Sequence, residues 1–355
     1  MSLRIPDPMV VVGLDNGGTT NNATVLDAFG EFLVDALSET PSRVQEGPLV
    51  AVEALAHAFD NVLTLTGTPR ERVSAVGFDS PGPASATGVI SSRGSTNFRH
   101  DGWRNFDFRS ALEARIGLPV VYNNDTNAAA LYAHHAHFGH DAPHRSSVAM
   151  IVGTGLGGGL IQEGAVVQGV SGMAAELGHV LIRLEGLLED DQPVPVCNCG
   201  QHGDAESFAS LTGITQNLLP YWLTRYPDHP LHALPIDRAA KAVRGLAENG
   251  DEMSLRIFTQ QAIAIGRIFG IASNFTDPHA YFVGGGVVEA APHFRDWFLD
   301  TVRTHTHLRE EQARAVQFAV VPDLDMAGAR GAALGALATV TGAAINLTSR
   351  ELPVS

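Results

Sequence analysis

The sequence predicts an α/β chain made of two lobes built on a similar plan. Three observations carry this reading. Strand-like and helix-like apolar runs alternate along the chain. A unit of strand, glycine/threonine bend, strand and turn occurs twice, first around residues 9–30 and again around 147–164. The length of 355 residues allows about two domains.

The elements follow in order. Residues 9–14 are apolar and end in Asp15-Asn16-Gly17-Gly18-Thr19-Thr20; residues 23–26 resume the strand, and Asp27-Ala28-Phe29-Gly30 turns it. Leu49, Val50, Val52, Leu55, Phe59, Val62 and Leu63 recur at helical spacing, so residues 48–66 should form an amphipathic helix. Residues 73–78 form a strand leading into the rigid loop Asp79-Ser80-Pro81-Gly82-Pro83. Another strand, residues 118–122, ends at Asn123-Asn124-Asp125 and opens an alanine-rich helix over 126–136. Residues 148–152 are apolar, 153–159 glycine-rich, and Leu160-Ile161 resumes a strand. A long helix over 251–276 precedes a strand at 280–283 and Gly284-Gly285-Gly286. The helix over 328–340 is rich in small residues (Ala329, Gly331, Ala332, Ala333, Gly335, Ala336), which would let it pack very closely. Residues 184–196 are the least regular, and their acidic cluster reads as a solvated loop, with a flap or an oligomer contact as the functional alternative.

Composition narrows the function. Hydrophobic residues make up 45% and charged ones 17%, ample for a core. The net charge of −15 argues against a broad basic face for nucleic acid or anionic lipid. Cys197 and Cys199 are the only cysteines, which excludes a disulfide framework and fits a reducing cytosol. The first residues carry no signal pattern, and no run of about 18 apolar residues predicts a spanning helix. Lys241 is the only lysine and no Gly-Lys-Ser/Thr occurs, so a Walker-type loop is excluded. Phosphate, if handled, would be held by backbone amides and a metal.

Five constellations carry chemistry. In Asp15-Asn16-Gly17-Gly18-Thr19-Thr20, glycines let successive amides cradle an anion, and an aspartate beside them implies a bridging Mg²⁺; read alone, the segment is equally a tight turn. Residues 153–159 (Gly-Thr-Gly-Leu-Gly-Gly-Gly) are too glycine-dense to lack a reason, and close approach of phosphate is the usual one; a strand follows where a nicotinamide fingerprint wants a helix. Gly284-Gly285-Gly286 could admit a nucleotide base or ribose, or simply turn the chain. Asn124-Asp125 places a carboxylate at a strand end and helix start, suited to a general base or to an N-cap. Glu176-Leu177-Gly178-His179, with Cys197-Asn198-Cys199 and the following His202, Asp204 and Glu206, looks like a Zn²⁺ site. Histidines 134, 135, 137, 140 and 144 read as an exposed helix end, and Arg93, Arg99 and Arg115 as surface charge.

Taken in order, these motifs resemble the ROK family (repressor, open reading frame, kinase) of sugar kinases, within the actin-like ATPase superfamily, over nearly the whole chain. Asp15 to Thr19 is similar to its Asp-x-Gly-Gly-Thr phosphate motif, Pro81-Gly82-Pro83 to its sugar-lobe loop, and Asn97 with Trp103 to its Asn…Gly-Trp stretch. Asn124-Asp125-x-Asn127 resembles the catalytic segment, and residues 153–159 the second phosphate motif. Glu176-x-Gly178-His179 and Cys197-x-Cys199-Gly200-x-x-Gly203-x-x-Glu206 resemble the zinc and sugar signature.

The resemblance implies a two-lobed ribonuclease H-like fold with a cleft: a smaller lobe of residues 1–128, onto which a helix of 338–355 packs back, and a larger lobe of 129–337. It implies Asp125 as the base that accepts a sugar hydroxyl proton. Asn97, Asn124, Glu176, His179 and Glu206 would hold the sugar. Asp15, Gly17, Gly18, Thr19, Thr154 and Gly155 would surround Mg²⁺ and the phosphates, and Gly284 and Gly285 would border adenosine. Zn²⁺ would sit on His179, Cys197, Cys199 and Asp204, the last standing where the family has a third cysteine, with His202 as a substitute. Thr20 stands where many members have lysine, and Asp79-Ser80 precedes Pro81. The implied activity is ATP-dependent phosphorylation of a hexose 6-hydroxyl, glucose first, in a cytoplasmic homodimer without nucleic acid or membrane partners. N-acetylmannosamine, N-acetylglucosamine or fructose as acceptor, polyphosphate as donor, a silent sugar sensor and a sugar-responsive repressor are the alternatives; the repressor needs a winged helix ahead of Asp15.

Overall fold

A computed structural model describes residues 9–91 and 97–342. Ten strands and ten helices occur among them: β1 (Val10–Asn16), β2 (Thr20–Asp27), β3 (Glu39–Pro41), α1 (Pro48–Thr66), β4 (Val73–Ser80), α2 (Phe108–Ile116), β5 (Val120–Asn124), α3 (Asp125–Phe138), β6 (Ser147–Val152), β7 (Leu156–Gln162), β8 (Ala165–Val166), α4 (Leu211–Gly213), α5 (Leu219–Arg225), α6 (Ile236–Glu248), α7 (Glu252–Thr276), β9 (Ala280–Gly285), α8 (Pro292–Thr304), α9 (Glu310–Ala315), β10 (Gln317–Val320) and α10 (Leu324–Thr341). The chain divides into two compact units, one of residues within 1–146, 160–174 and 322–355, the other of 147–159 and 175–321.

This division differs from the expected 1–128 and 129–337. Helix α3 stays whole in the first unit because it packs on α10, where a Cβ on Gly331 would lie 1.7 Å from the Ala128 carbonyl oxygen. The first unit regains the chain at residue 322, well before 338, because all of α10 packs against β1 and β4. Residues 343–355 of the expected C-terminal helix lie outside the described residues.

In the first unit the sheet runs β3-β2-β1-β4-β5. The bend after Asp15 makes β1 and β2 antiparallel, while β1, β4 and β5 run parallel. Parallel strands bring their carboxyl ends to one edge of the sheet, where α/β folds place ligands. The register sets Asp15 opposite Asp79, and Ser80 opposite Asn124. Helix α1 matches the predicted 48–66, with Ala51, Val52, Leu55, Phe59 and Val62 buried. By length and mean hydropathy α1 alone among the described helices would pass for a membrane span, and its packed core face accounts for that apolarity. Phe78, Phe98, Trp103 and Phe108 form an aromatic cluster, and Trp103 Nε1 donates to the Val44 carbonyl at 2.8 Å.

The second sheet has the order β10-β9-β6-β7-β8, with β9 parallel to both β6 and β10. The buried residues of α7, among them Ile257, Ile265, Ile268 and Phe269, supply much of the second unit's core. Gln260 on that helix accepts from Trp222 Nε1 at 2.9 Å and donates to the Leu187 carbonyl at 2.8 Å. The 184–196 segment is therefore anchored rather than merely solvated: Leu187 and Gln192 are buried, while Glu185, Glu189, Asp190 and Asp191 face solvent.

Candidate active site

The first glycine bend is built by close approach. A Cβ on Gly17 would stand 2.8 Å from the Thr20 carbonyl oxygen, and one on Gly18 only 2.5 Å from Asn97 Oδ1. The Asn97 carboxamide therefore lies against the bend that carries Asp15, Gly17, Gly18 and Thr19. Gly17 N–H donates to Thr20 O at 2.8 Å, and buried Asn16 and Asn21 pair at 2.6 Å. Burial pushes the Asp15 carboxyl above its usual range, against hydrogen bonds with Asp79 and Asn22.

Asp79 is the residue whose role the sequence left unread. It is fully buried, and its carboxylate finds no partner other than the Asp15 carboxyl. Burial first, then the charge of Asp15 and its hydrogen bond, then the charge of Asp125, push its pKa well up. The Asp15–Asp79 hydrogen bond requires a proton on one of the two carboxyls. A buried carboxyl paired with a half-buried one, short of positive charge and next to a turn of amides, fits a hard divalent cation.

Asp125 opens α3 directly after β5. The Asn124 side chain caps the helix, accepting from Thr126 N–H at 3.0 Å, and Asp125 Oδ1 accepts from the same N–H at 2.7 Å. Its carboxylate is thus oriented by backbone, partly exposed, at the helix N-terminus, where the macrodipole favours the anion. The Pro81-Gly82-Pro83 loop lies against it: a Cβ on Gly82 would be 3.4 Å from Asn124 Nδ2.

In the second unit, Gly153 N–H donates to Gly155 O at 2.9 Å, and the Gly153 and Thr154 carbonyls accept from Leu211 and Thr212 N–H at 3.0 and 3.1 Å. Gly153 and Thr154 are exposed. Strand β7 begins at Leu156, so Gly157, Gly158 and Gly159 belong to it rather than to the bend. Gly158 has a packing reason, since its Cβ would meet the Ala175 carbonyl oxygen at 2.3 Å. Gly284 and Gly285 are likewise buried strand residues, and a Cβ on Gly285 would lie 2.0 Å from Val152 O. Close strand packing explains their lack of side chains.

Glu206 does something its spacing did not announce. Oε2 accepts from Leu156 N–H at 2.9 Å and Oε1 from the Cys197 thiol at 3.4 Å, so one carboxylate joins the second glycine bend to the cysteine loop. Within that loop His179 Nδ1 lies 3.3 Å from Asp204 Oδ2 and 3.7 Å from Cys197 Sγ, and Cys199 Sγ lies 3.6 Å from Asp204 Oδ2. All four donor atoms fall within 4.8 Å of one another. Metal–ligand bonds of about 2.0–2.3 Å give tetrahedral edges of about 3.3–3.8 Å, so the set fits Zn²⁺. The fourth donor is Asp204; His202 is exposed and outside the cluster. The hydrogen bond to Asp204 pushes His179 up to about 9, and burial pushes the Cys197 thiol up. Glu176, exposed at the surface, follows Ala175, which holds a left-handed φ of 65°.

The profile of the ROK family matches residues 11–339. The chain belongs to the ROK family. A glucokinase from Halalkalibacterium halodurans is 32% identical over 299 residues, spanning 83% of this chain and 84% of that protein. The ROK hexokinase of Thermus thermophilus superposes with a TM-score of 0.73 at 30% identity, over 94% of this chain and all of that one. A ROK family glucokinase from Streptomyces griseus, solved with glucose and AMPPNP, gives 0.67 at 28% identity over 92% and 99%. The fold is thus the actin-like ATPase fold of ROK proteins.

One expectation outside the motifs changes. His134 and His135 are buried, not part of an exposed helix end: His134 Nε2 lies 2.8 Å from the Ala142 carbonyl and His135 Nε2 3.4 Å from that of Gly164. His137, His140 and His144 are exposed. Arg115 pairs with Glu53 at 2.8 Å, and Arg93 lies outside the described residues.

Proposed function

We propose that this ROK chain transfers the γ-phosphoryl group of ATP to the 6-hydroxyl of a hexose, with glucose as its first substrate. The observation that carries the reading is Asp125, a single carboxylate fixed by the Thr126 N–H at the junction of β5 and α3. Phosphoryl transfer needs alignment and charge neutralisation more than covalent help. Asp125 accepts the proton of the attacking hydroxyl and thereby sets which hydroxyl reacts. Asn97, Asn124, Glu176, His179 and Glu206 hydrogen-bond the other hydroxyls. His179 turns Nδ1 toward the thiols, so Nε2 is its sugar-facing nitrogen. Amides of Gly18 and Gly155, with Thr19 and Thr154, hold the phosphates, Gly17 closes the turn through its own bond to Thr20, and Gly284 and Gly285 border the adenosine.

Asp15 would hold Mg²⁺, which would supply neutralisation of the phosphate charge. His179, Cys197, Cys199 and Asp204 would hold Zn²⁺, which would brace the loop bearing His179 and Glu206. A cytoplasmic homodimer without nucleic acid or membrane partners completes the proposal, supported by the family resemblance and by two unbridged cysteines.

The test is a coupled ADP-release assay over glucose, N-acetylglucosamine, N-acetylmannosamine and fructose, run with ATP and with polyphosphate. Glucose with ATP should give the highest kcat/KM. Asp125→Asn should lower kcat by about 10²–10⁴ while glucose still binds. Near-normal turnover in that variant removes Asp125 from the base role, and ADP release with none of the sugars leaves a sensor.

A further inference from the structure

The first unit contains a cavity of about 880 Å³ that none of the proposed catalytic residues lines. It runs along β5, the outer strand of its sheet. Val121 and Asn123 of β5, His135 of α3, Thr339 of α10, and Glu163 and Gln168 around β8 form its walls. The volume lies within the range of about 300–1,000 Å³ typical of small-molecule sites.

His135 closes one wall of the cavity. Its Nε2 lies 3.4 Å from the Gly164 carbonyl, which can only accept, so Nε2 carries the proton. Burial, reinforced by neighbouring His134, holds the ring neutral with a pKa of about 4. Nδ1 is then a bare acceptor, and it is buried without a partner. Nδ1 is sealed within the wall, so His135 shapes the cavity rather than bonding its contents. Gln168 Nε2 donates to Asn123 Oδ1 at 3.1 Å, a linked amide pair on the same wall that offers both donors and acceptors.

Charge selects among ligands. Glu163 adds a negative charge, while the Arg109 guanidinium is held by Glu113 at 2.9 Å and Ser110 at 2.7 Å. An anion is therefore disfavoured. Val121, Val166 and Ala338 give apolar surface suited to the C–H face of a pyranose. Glu163 and Gly164, with left-handed φ of 48° and 75°, form the two-residue turn that joins β7 to β8 at the cavity's edge.

We infer that this cavity is a second ligand site, separate from the catalytic residues, for a neutral hydroxyl-rich ligand of the sugar class. It does not depend on the kinase reading.

The experiment uses the full chain with labelled valine and leucine methyls, titrated with maltose as the neutral probe and glucose 6-phosphate as the anionic one. Maltose should shift the Val121 and Val166 methyls saturably, and glucose 6-phosphate should not. Ala165→Trp, placed on an exposed rim position, should fill the cavity and weaken maltose binding at least tenfold. Gln168→Ala should weaken it with the rest of the spectrum unchanged. Both variants should keep wild-type turnover, so failure here leaves the kinase reading standing. No saturable shift at those methyls, equal binding by Ala165→Trp, or preference for the phosphorylated sugar overturns the inference.

Discussion

Helix α10 offers a sharp test of how this ROK fold is held together. A Cβ on Gly331 would sit 1.7 Å from Ala128 O; one on Gly77, 1.8 Å from Ala332 O; and one on Gly13, 1.9 Å from Ala329 O. Carbon-to-carbonyl-oxygen contacts close to about 3.3 Å. Gly331→Ala must therefore push α10 and α3 apart by about 1.6 Å, since both partners are backbone and neither can rotate away. Overpacking costs about 1–3 kcal/mol, and a backbone clash belongs at the upper end, about 3 kcal/mol. Gly245→Ala is the matched control. It lies exposed within α6 with nothing within 4 Å of its added Cβ, so the same chemical change should stabilise by about 0.5–1 kcal/mol. Urea unfolding followed by circular dichroism reads both. Ala128 lies one helical turn from Asp125, so Gly331→Ala should also lower kcat per folded molecule. Equal stability of Gly331→Ala and wild type, or equal losses in the two variants, refutes the reasoning.

The other predictions follow from single contacts. Glu206→Gln should raise the KM for ATP about tenfold or more in the coupled assay, because the Leu156 N–H loses a charged acceptor; a change confined to the sugar KM contradicts this. Zn²⁺ binding at pH 7.5 should release more than one proton, from His179 and Cys197, measured by calorimetry in two buffers of different ionisation enthalpy; binding without proton release counts against the ligand set. His135, with a folded pKa of about 4 against about 6.5 unfolded, takes up a proton on unfolding between those values. Its share of stability, on the order of 3 kcal/mol, is whole above pH 6.5 and declines as pH falls toward 4; His135→Gln should flatten that slope in urea midpoints taken at pH 7.5 and 5. Asp79 behaves oppositely: its raised pKa means the folded state holds the extra proton, so its cost grows as pH rises from the unfolded value through the folded one. Asp79→Asn should therefore raise the urea midpoint at pH 7.5 without Mg²⁺, and an unchanged or lower midpoint contradicts the buried charge pair.

Patterning carried the fold well where one face of an element decides its burial. Helix α1 has the predicted bounds because its apolar residues repeat at helical spacing and Pro48 and Gly67 mark its ends. The small residues of α10 were legible as a demand for close packing, and Gly13 and Gly77 on the sheet answer it. The division into units was not legible, because it depends on which helix packs on which. No local pattern in residues 125–138 states that Ala128 faces Gly331.

The site shows the same limit more finely. A spacing motif places residues along the chain; it is silent on what tertiary register sets side by side. Asp79 lies 64 residues from Asp15 in sequence, and only the parallel pairing of β1 with β4 puts the two carboxyls in contact. Glu206 was legible as a member of the cysteine segment, yet its carboxylate closes on Leu156, which sequence alone assigns to another motif. Both are acidic side chains spent on other parts of the machinery rather than on solvent. The first sets a second carboxyl beside Asp15 at the foot of the first glycine bend, a donor set that fits a hard cation. The second ties the second glycine bend to the thiol cluster, so that whatever orders the cysteines also fixes an amide of the bend. Asp79 and Glu206 thus each tie one glycine bend to a second group of side chains, a division of labour that follows from strand register and loop packing and not from the motifs themselves.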